Sequence, residues 1–190
     1  MAKRESTFKS MVLTLFVVAA ISATTLGLMH EVTEEPIAAA KLKAKLEAVE
    51  KVVPDFDNSP SEELYTIQSD LGELECYPAK MGSELVGTAI SSITTKGFSG
   101  EIVIMVGLTP DGTIIDSSVL DHSETPGLGT KMGLPKFKDQ FKGKNPTDFN
   151  VSVKKDGGGI DAITAATISS RAFCDAVQRA YKSYMEGGKK

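Results

Sequence analysis

Tryptophan is missing from this chain, and its 190 residues hold only two cysteines and two histidines. Cys76, Cys174, His30 and His122 are too widely separated for the paired spacing of a zinc or iron–sulfur site. No metal ligand set is therefore predicted, and any redox cofactor should be organic. The cysteines read as buried thiols, with a disulfide between them as the alternative outside the cytoplasm. Positive charge is outnumbered, with 21 Lys and Arg against 25 Asp and Glu. A formal net charge of −4 and a pI near 5.3 leave no concentrated basic surface for phosphate backbones, which excludes nucleic acid as a partner. There is no internal repeat and no low-complexity tract, because the 17 glycines and 8 prolines are spread over turn-like places. Nothing resembles a hydrolytic triad or a general acid/base pair, so no catalytic residue is predicted.

Charge is absent altogether from residues 10–29. As a helix rising about 1.5 Å per residue, this run spans about 30 Å, the hydrocarbon thickness of a bilayer. Lys3, Arg4 and Lys9 precede it and Glu31, Glu34 and Glu35 follow it. The positive-inside rule then places residues 1–9 in the cytoplasm and everything after the span outside it. A cleaved signal peptide is the rival, with an apolar core of about 7 to 15 residues. Ala20-Ile21-Ser22 imitates a cleavage site, yet the apolar run continues beyond it to Met29. The expectation is a single-pass anchor in the lipid of the inner (cytoplasmic) membrane. About 160 residues remain for one extracytoplasmic, or periplasmic, domain with a sizeable core.

The segment 30–63 reads as a helix and a connecting stretch. Thr33-Glu34-Glu35-Pro36 has the form of a helix start, and Leu42, Leu46, Val49 and Val53 recur at helical spacing before Pro54. Residues 55–63 read as a loop. From 64 to 190 the pattern is that of a folded domain, with strand-like stretches at 64–67, 74–77 and 85–93. A hairpin follows, formed by 101–108, the turn Thr109-Pro110-Asp111-Gly112, and 113–120. Its first strand is apolar on both faces and should be central. Residues 134–144 predict a short helix with Phe137 and Phe141 in the core. Lys131, Lys136, Lys138, Lys142 and Lys144 would form a solvated basic face there, with a partner-docking patch as the alternative. Phe149, Val151 and Val153 alternate with polar residues as a last short strand, ended by Asp156 and three glycines. A closing helix from Ile168 buries Ala172, Ala176, Val177, Ala180, Tyr181 and Tyr184, and stops at Gly187 and Gly188. The predicted fold class is α+β, a mostly antiparallel sheet with packed helices, preceded by one N-terminal transmembrane helix.

The stretch from Asp161 to Ser170 lies where a glycine-rich loop enters that last helix. Helix N-termini present unpaired N–H groups and a positive dipole end, which suit an anion. Ala165 and Ala166 are small enough to let a bulky group approach the backbone. Thr164, Thr167, Ser169 and Ser170 offer hydroxyls, whose ordinary use at such a place is to cap the helix. Upstream, Pro126, Gly127 and Gly129 allow a tight loop that can come close to a flat ring.

Thr164-Ala165-Ala166-Thr167, preceded by Asp161 and followed by Ser169-Ser170, resembles the Ser/Thr-Gly-Ala-Thr flavinylation motif of the FMN-binding domain family. Ala165 stands where that family commonly has glycine. His122-Ser123-Glu124-Thr125-Pro126-Gly127-Leu128-Gly129 is similar to the family's Glu-Thr-Pro-Gly-Leu-Gly segment. The two elements occur in the family's order, about 40 residues apart, and together are more specific than either alone. The resemblance implies that a flavin transferase takes the FMN moiety from FAD and joins its phosphate to Thr167, releasing AMP. It further implies that Glu124, Thr125, Gly127, Leu128, Gly129, Thr164, Ala165, Ala166 and Ser169 contribute to the FMN site. The branch of the family it looks like is the G subunit of Rnf electron-transport complexes, homologous to the C subunit of the sodium-pumping NADH:quinone reductase. That implies a flavoprotein component of a membrane-bound ferredoxin:NAD oxidoreductase, which couples electron transfer to movement of Na⁺ or H⁺. Its partners would be the other membrane and peripheral subunits of an Rnf-type complex. The alternatives are the C subunit of the reductase, a non-redox assembly component and a secreted ligand-binding domain. His122 is expected to be a loop histidine bonded to backbone.

Overall fold

A computed structural model describes residues 7–187 and divides the chain into two compact units, one up to Lys43 and one from Ala44. Lys3 and Arg4, on which the predicted orientation partly rests, and Gly188 lie outside the described residues.

The first unit is the greater part of helix α1, Phe8–Val52. Leu13, Leu15, Phe16, Ile21 and Leu26 are all exposed along it, and it is long and apolar enough to cross a membrane. The hydroxyls of Thr14, Thr24 and Thr25 donate to the carbonyls of Ser10, Ala20 and Ile21 at 2.8, 2.8 and 2.9 Å. Their polar atoms are thereby satisfied within the helix, as apolar surroundings require. The expected second helix start at Thr33 is not used. Thr33 Oγ1 donates back to Met29 O at 2.7 Å, and Pro36 lies inside the helix. Pro36 removes one rung of the ladder, but the Ile37-Ala38-Ala39-Ala40 run beyond it favours continuation.

The second unit begins with the last turns of α1. Ala48, Val49, Val52 and Val53 are buried against Tyr77, Ala79, Ala89 and Met105, whereas Leu46 of the expected stripe is only partly covered. A Cβ at Gly107 would lie 1.8 Å from the Val52 carbonyl oxygen, so glycine alone lets the helix end rest on the sheet.

That sheet has five strands: β1 Tyr65–Ser69, β2 Gly72–Met81, β3 Glu84–Gly97, β4 Gly100–Leu108 and β5 Ile114–His122. They pair antiparallel in sequence order. The turn between β4 and β5 is fixed by Asp111, which accepts from the hydroxyls of Thr109 and Thr113 at 2.5 and 2.6 Å. As its two apolar faces predict, β4 is buried on both sides and has a strand on each flank, although β3 holds the central place in the sheet.

The closing helix, Thr167–Gly187, packs on the sheet face that carries Ile90, Ile104, Val106 and Leu108, through Ala172, Phe173, Ala176, Val177, Ala180 and Tyr184. Between residues 134 and 144 the only α-helical piece is α2, Pro135–Lys138, following a 3-10 turn at Gly129–Gly133; the closing helix is therefore α3. Phe137, Phe141 and Phe173 form a ring cluster with centroids 5.1 to 5.6 Å apart. Part of the basic face is engaged with protein. Lys138 and Lys142 bind Asp116 at 3.0 and 3.1 Å. Burial pushes the Asp116 carboxyl up, but Lys138, the Ser117 amide and Lys142 outweigh it and hold it below the usual carboxylate range.

No strand forms at 149–153. Val151 and Val153 are buried as the alternation predicts, but the one ladder contact is a parallel bridge between Val153 and Ile160. Gly157, at φ 82°, reverses the chain before pairing can extend. Cys76 and Cys174 are free and buried, and burial pushes both thiols up to about 12.

Candidate functional site

The segment before α3 is held from its start. The Gln140 side chain accepts from the Asp161 N–H at 2.8 Å and donates to the Asp161 carbonyl at 3.2 Å, and Lys154 binds the Asp161 carboxylate at 2.8 Å. Ser170 Oγ accepts from the Ile163 N–H and donates to the Ala166 carbonyl, both at 2.9 Å. Of the candidate hydroxyls, then, Ser170 ties this segment to the first turn of α3. Between these anchors Ala165 adopts φ 62°, the one non-glycine residue with positive φ among those described. Thr167 follows as the first residue of α3, partly exposed. Among the described residues its hydroxyl has no hydrogen-bond partner, and the N–H groups of Thr167, Ile168 and Ser169 have no acceptor. These are the orphan donors of a helix start, and they converge with the positive end of the α3 dipole.

The facing wall comes from the loop after β5. His122 ends that strand, and its Nδ1 accepts from the Glu124 N–H at 3.2 Å, which is the backbone role expected of it. Glu124 is 5% exposed. Its Oε2 accepts from Ser169 Oγ at 2.7 Å and its Oε1 from the Ser99 N–H at 3.2 Å. One carboxylate therefore ties the β5 loop to the start of α3 and to the β3–β4 turn. A Cβ at Gly129 would lie 2.4 Å from Glu124 Oε2 and 2.8 Å from Ser169 Oγ, so this close approach excludes any side chain. Gly127 takes φ 75°, and its N–H donates to Thr130 Oγ1 at 3.0 Å.

Between these walls lies a cleft of about 310 Å³, lined by Phe98, Glu124, Thr125, Leu128, Gly129 and residues 165–169. Its apolar lips are Phe98, Ile168 and Leu128, at 67%, 47% and 38% exposure. The structure thus brings Glu124, Thr125, Leu128, Gly129, Ala165, Ala166, Thr167 and Ser169 to one place. Gly127 shapes the loop without lining the cleft. Thr164 faces a separate hollow of about 200 Å³ with Lys131, Lys136 and Asp161. Sequence reasoning missed Phe98 and Ile168. The signal for Phe98 was a large aromatic in an otherwise small and polar turn, Gly97-Phe98-Ser99-Gly100.

These groups fit FMN. Its phosphate needs donors, which the three unpaired N–H groups supply beside the unbonded Thr167 hydroxyl. A flat aromatic ring needs an apolar slot, and the lips of the cleft supply one. Each oxygen of the Glu124 carboxylate accepts a hydrogen bond from the protein, from Ser169 Oγ and the Ser99 N–H.

A family model described as FMN-binding domain matches residues 97–182, a span holding every residue that lines the cleft. Over 192 residues the chain is 36% identical to the G subunit of the ion-translocating oxidoreductase complex of Aliivibrio fischeri, covering 93% of this chain and 90% of that protein. It is 34% identical over 185 residues to the G subunit of the Na(+)-translocating ferredoxin:NAD(+) oxidoreductase complex of Acetobacterium woodii, covering 90% and 89%. Among solved structures, the C subunit of the Na(+)-translocating NADH-quinone reductase of Parabacteroides distasonis is similar with a TM-score of 0.49 and 19% identity, over 61% of this chain and 63% of that one.

Proposed function

Because the chain belongs to the G-subunit family of ion-translocating oxidoreductase complexes, we propose that it is the electron-transfer flavoprotein of such a complex, with FMN joined by a phosphoester to Thr167. The observation that carries this reading is the unbonded Thr167 hydroxyl, placed at a helix start with free N–H donors and beside an apolar cleft. Thr167 Oγ1 takes the place of the AMP oxygen on the phosphorus of FAD's FMN half, and its proton leaves with AMP. The N–H groups of Thr167, Ile168 and Ser169 hold the remaining phosphate oxygens, and Glu124 keeps the two walls of the cleft together. When bound, FMN supplies acceptance and release of single electrons. A tether suits a domain facing a large outside volume, because it keeps the cofactor at high local concentration.

The chain is membrane-associated. In this reading residues 10–29 form a retained span in lipid, with 1–9 in the cytoplasm, and residues 30–63 connect it to an FMN-binding domain, 64–190, outside. Its partners are the other membrane and peripheral subunits of an Rnf-type complex and, during maturation, a flavin transferase. Reduced ferredoxin and NAD are the electron donor and acceptor that the Acetobacterium woodii relative's name suggests for the complex.

The test is co-expression with a flavin transferase, followed by denaturing electrophoresis, flavin fluorescence and peptide mass mapping. Wild type should carry fluorescence on the peptide containing Thr167, and Thr167→Ala should carry none. A wild-type chain without flavin, while a known substrate of the same transferase is modified in parallel, would remove the relay reading in favour of a non-redox assembly component.

A further inference from the structure

We propose that Phe98 is a positioning residue for the flavin ring, packing its phenyl against the isoalloxazine of the FMN carried on Thr167. The inference rests on the attachment proposed above. Phe98 lies in the two-residue turn between β3 and β4, where Gly97 pairs with Gly100. A Cβ at Gly97 would lie 2.3 Å from the Gly100 carbonyl oxygen and 2.8 Å from Glu124 Oε1, so the turn is closely packed from beneath. The next residue is fixed too, since the Ser99 N–H donates to Glu124 Oε1 at 3.2 Å. The other oxygen of that carboxylate holds Ser169, two residues after Thr167, at 2.7 Å. Phe98 and Thr167 are therefore held to a common buried anchor, although 69 positions separate them in sequence (167 − 98).

The turn is packed at Gly97 and tied at Ser99, yet Phe98 is 67% exposed and lines the cleft into which Thr167 opens. A core role does not explain it, because Phe98 belongs to neither buried cluster. Leu128 and Ile168 supply the remaining apolar surface of the cleft mouth. A planar aromatic ligand entering it meets one aromatic side chain and two aliphatic ones, and aromatic pairs gain by offset or edge contact beyond their buried area.

The experiment uses the full chain, flavinylated by a co-expressed transferase, as wild type, Phe98→Ala, Phe98→Leu and Phe98→Tyr. Denaturing gels give the covalent flavin carried by each variant, and native emission is read per attached flavin. In the native proteins, iodide should quench Phe98→Ala emission several-fold more effectively than wild type, with Phe98→Leu between them. Tyrosine quenches an excited flavin by electron transfer at near contact, so Phe98→Tyr should lose most of its native emission and regain it on denaturation. Unchanged iodide access in Phe98→Ala together with undiminished emission in Phe98→Tyr would overturn the proposal. A wild type without covalent flavin is a separate result, removing the premise and the inference with it.

Discussion

Two clefts of nearly equal size are built along α3, about 310 Å³ beside Thr167 and about 320 Å³ around Arg179, and they differ in what their polar groups have left to offer. Arg179 donates to both oxygens of Asp70 at 2.5 and 3.2 Å, to Asp175 at 2.9 Å and to the Ile93 carbonyl at 2.6 Å. Asp175 also accepts from Thr94 at 2.8 Å and from Lys96 at 2.5 Å. The central charges of that cleft are engaged with one another. Beside Thr167 both oxygens of the buried carboxylate are engaged, but a hydroxyl and three helix N–H groups have no partner among the described residues, and the lips are apolar. Cavity volume does not separate a binding site from a surface hollow; uncommitted hydrogen-bonding capacity beside apolar surface does.

If that contrast is right, the two clefts fail in different ways. Arg179→Met removes the side-chain donor to the Ile93 carbonyl and one of three side chains that donate to the partly buried Asp175. It should cost about 3 kcal/mol, the lower end for removing one partner of a buried ion pair, because Asp70 is largely exposed. Urea unfolding would read this as a lower midpoint, with covalent flavin per folded molecule unchanged. A folded variant that loses flavin would break the comparison by making the Arg179 cleft part of the site. Gly129→Ala has the opposite signature. The new methyl collides with Glu124 and Ser169, should cost about 2 kcal/mol through overpacking, and should reduce flavin attachment as the walls separate. Equal attachment in Gly129→Ala and wild type would show that the tie between the walls is dispensable.

Acid should sharpen the difference further. Burial pushes the Asp175 carboxyl up, but Lys96, Thr94 and Arg179 outweigh it and hold it below its ordinary value of 3.8. A carboxyl depressed on folding contributes stability that is full above the unfolded value and disappears as pH falls through the folded one. Wild type should therefore lose stability below about pH 4, and Arg179→Met should lose less over the same interval, having already lost part of the pairing. Parallel pH profiles in urea would mean that Asp175 keeps its low pKa without the arginine.

Most of the sheet was readable from alternation and from the Pro-Asp-Gly turn, because a half-buried strand must repeat every two residues. The helix junction was not readable, since Thr33-Glu34-Glu35-Pro36 carries the local marks of a start that the continuing helix overrides. At 149–153 the alternation reported burial correctly but could not reveal that no partner strand lies alongside. For the site, each motif was visible separately, whereas the carboxylate that joins them links positions 45 residues apart. Phe98 escaped because an exposed aromatic in a turn has no periodicity to betray it. Thr164 and Thr167 are the first and last residues of one four-residue motif, but the chain reverses at Ala165 and puts them in different clefts.

That reversal supplies the smallest predicted effect and the most local one. Ala165 holds φ 62°, a region that costs an L-residue about 1–2 kcal/mol because its Cβ crowds the following carbonyl. Glycine removes that cost but gains about 0.4–1 kcal/mol of unfolded-chain entropy to lose on folding. Ala165→Gly should therefore stabilise the folded domain by about 0.5–1 kcal/mol, a rise in Tm of about 2–3 °C for a domain of this size. Ala165→Val should move Tm the other way, since a β-branched side chain tolerates positive φ less well than alanine. A fall in Tm for Ala165→Gly would mean that residue 165 is not strained, and that the reversal is set by the Gln140 and Ser170 ties on either side. A rise would place the strain of this segment at the lip of the Thr167 cleft, where the chain has to turn so that Thr164 faces one hollow and the Thr167 hydroxyl the other.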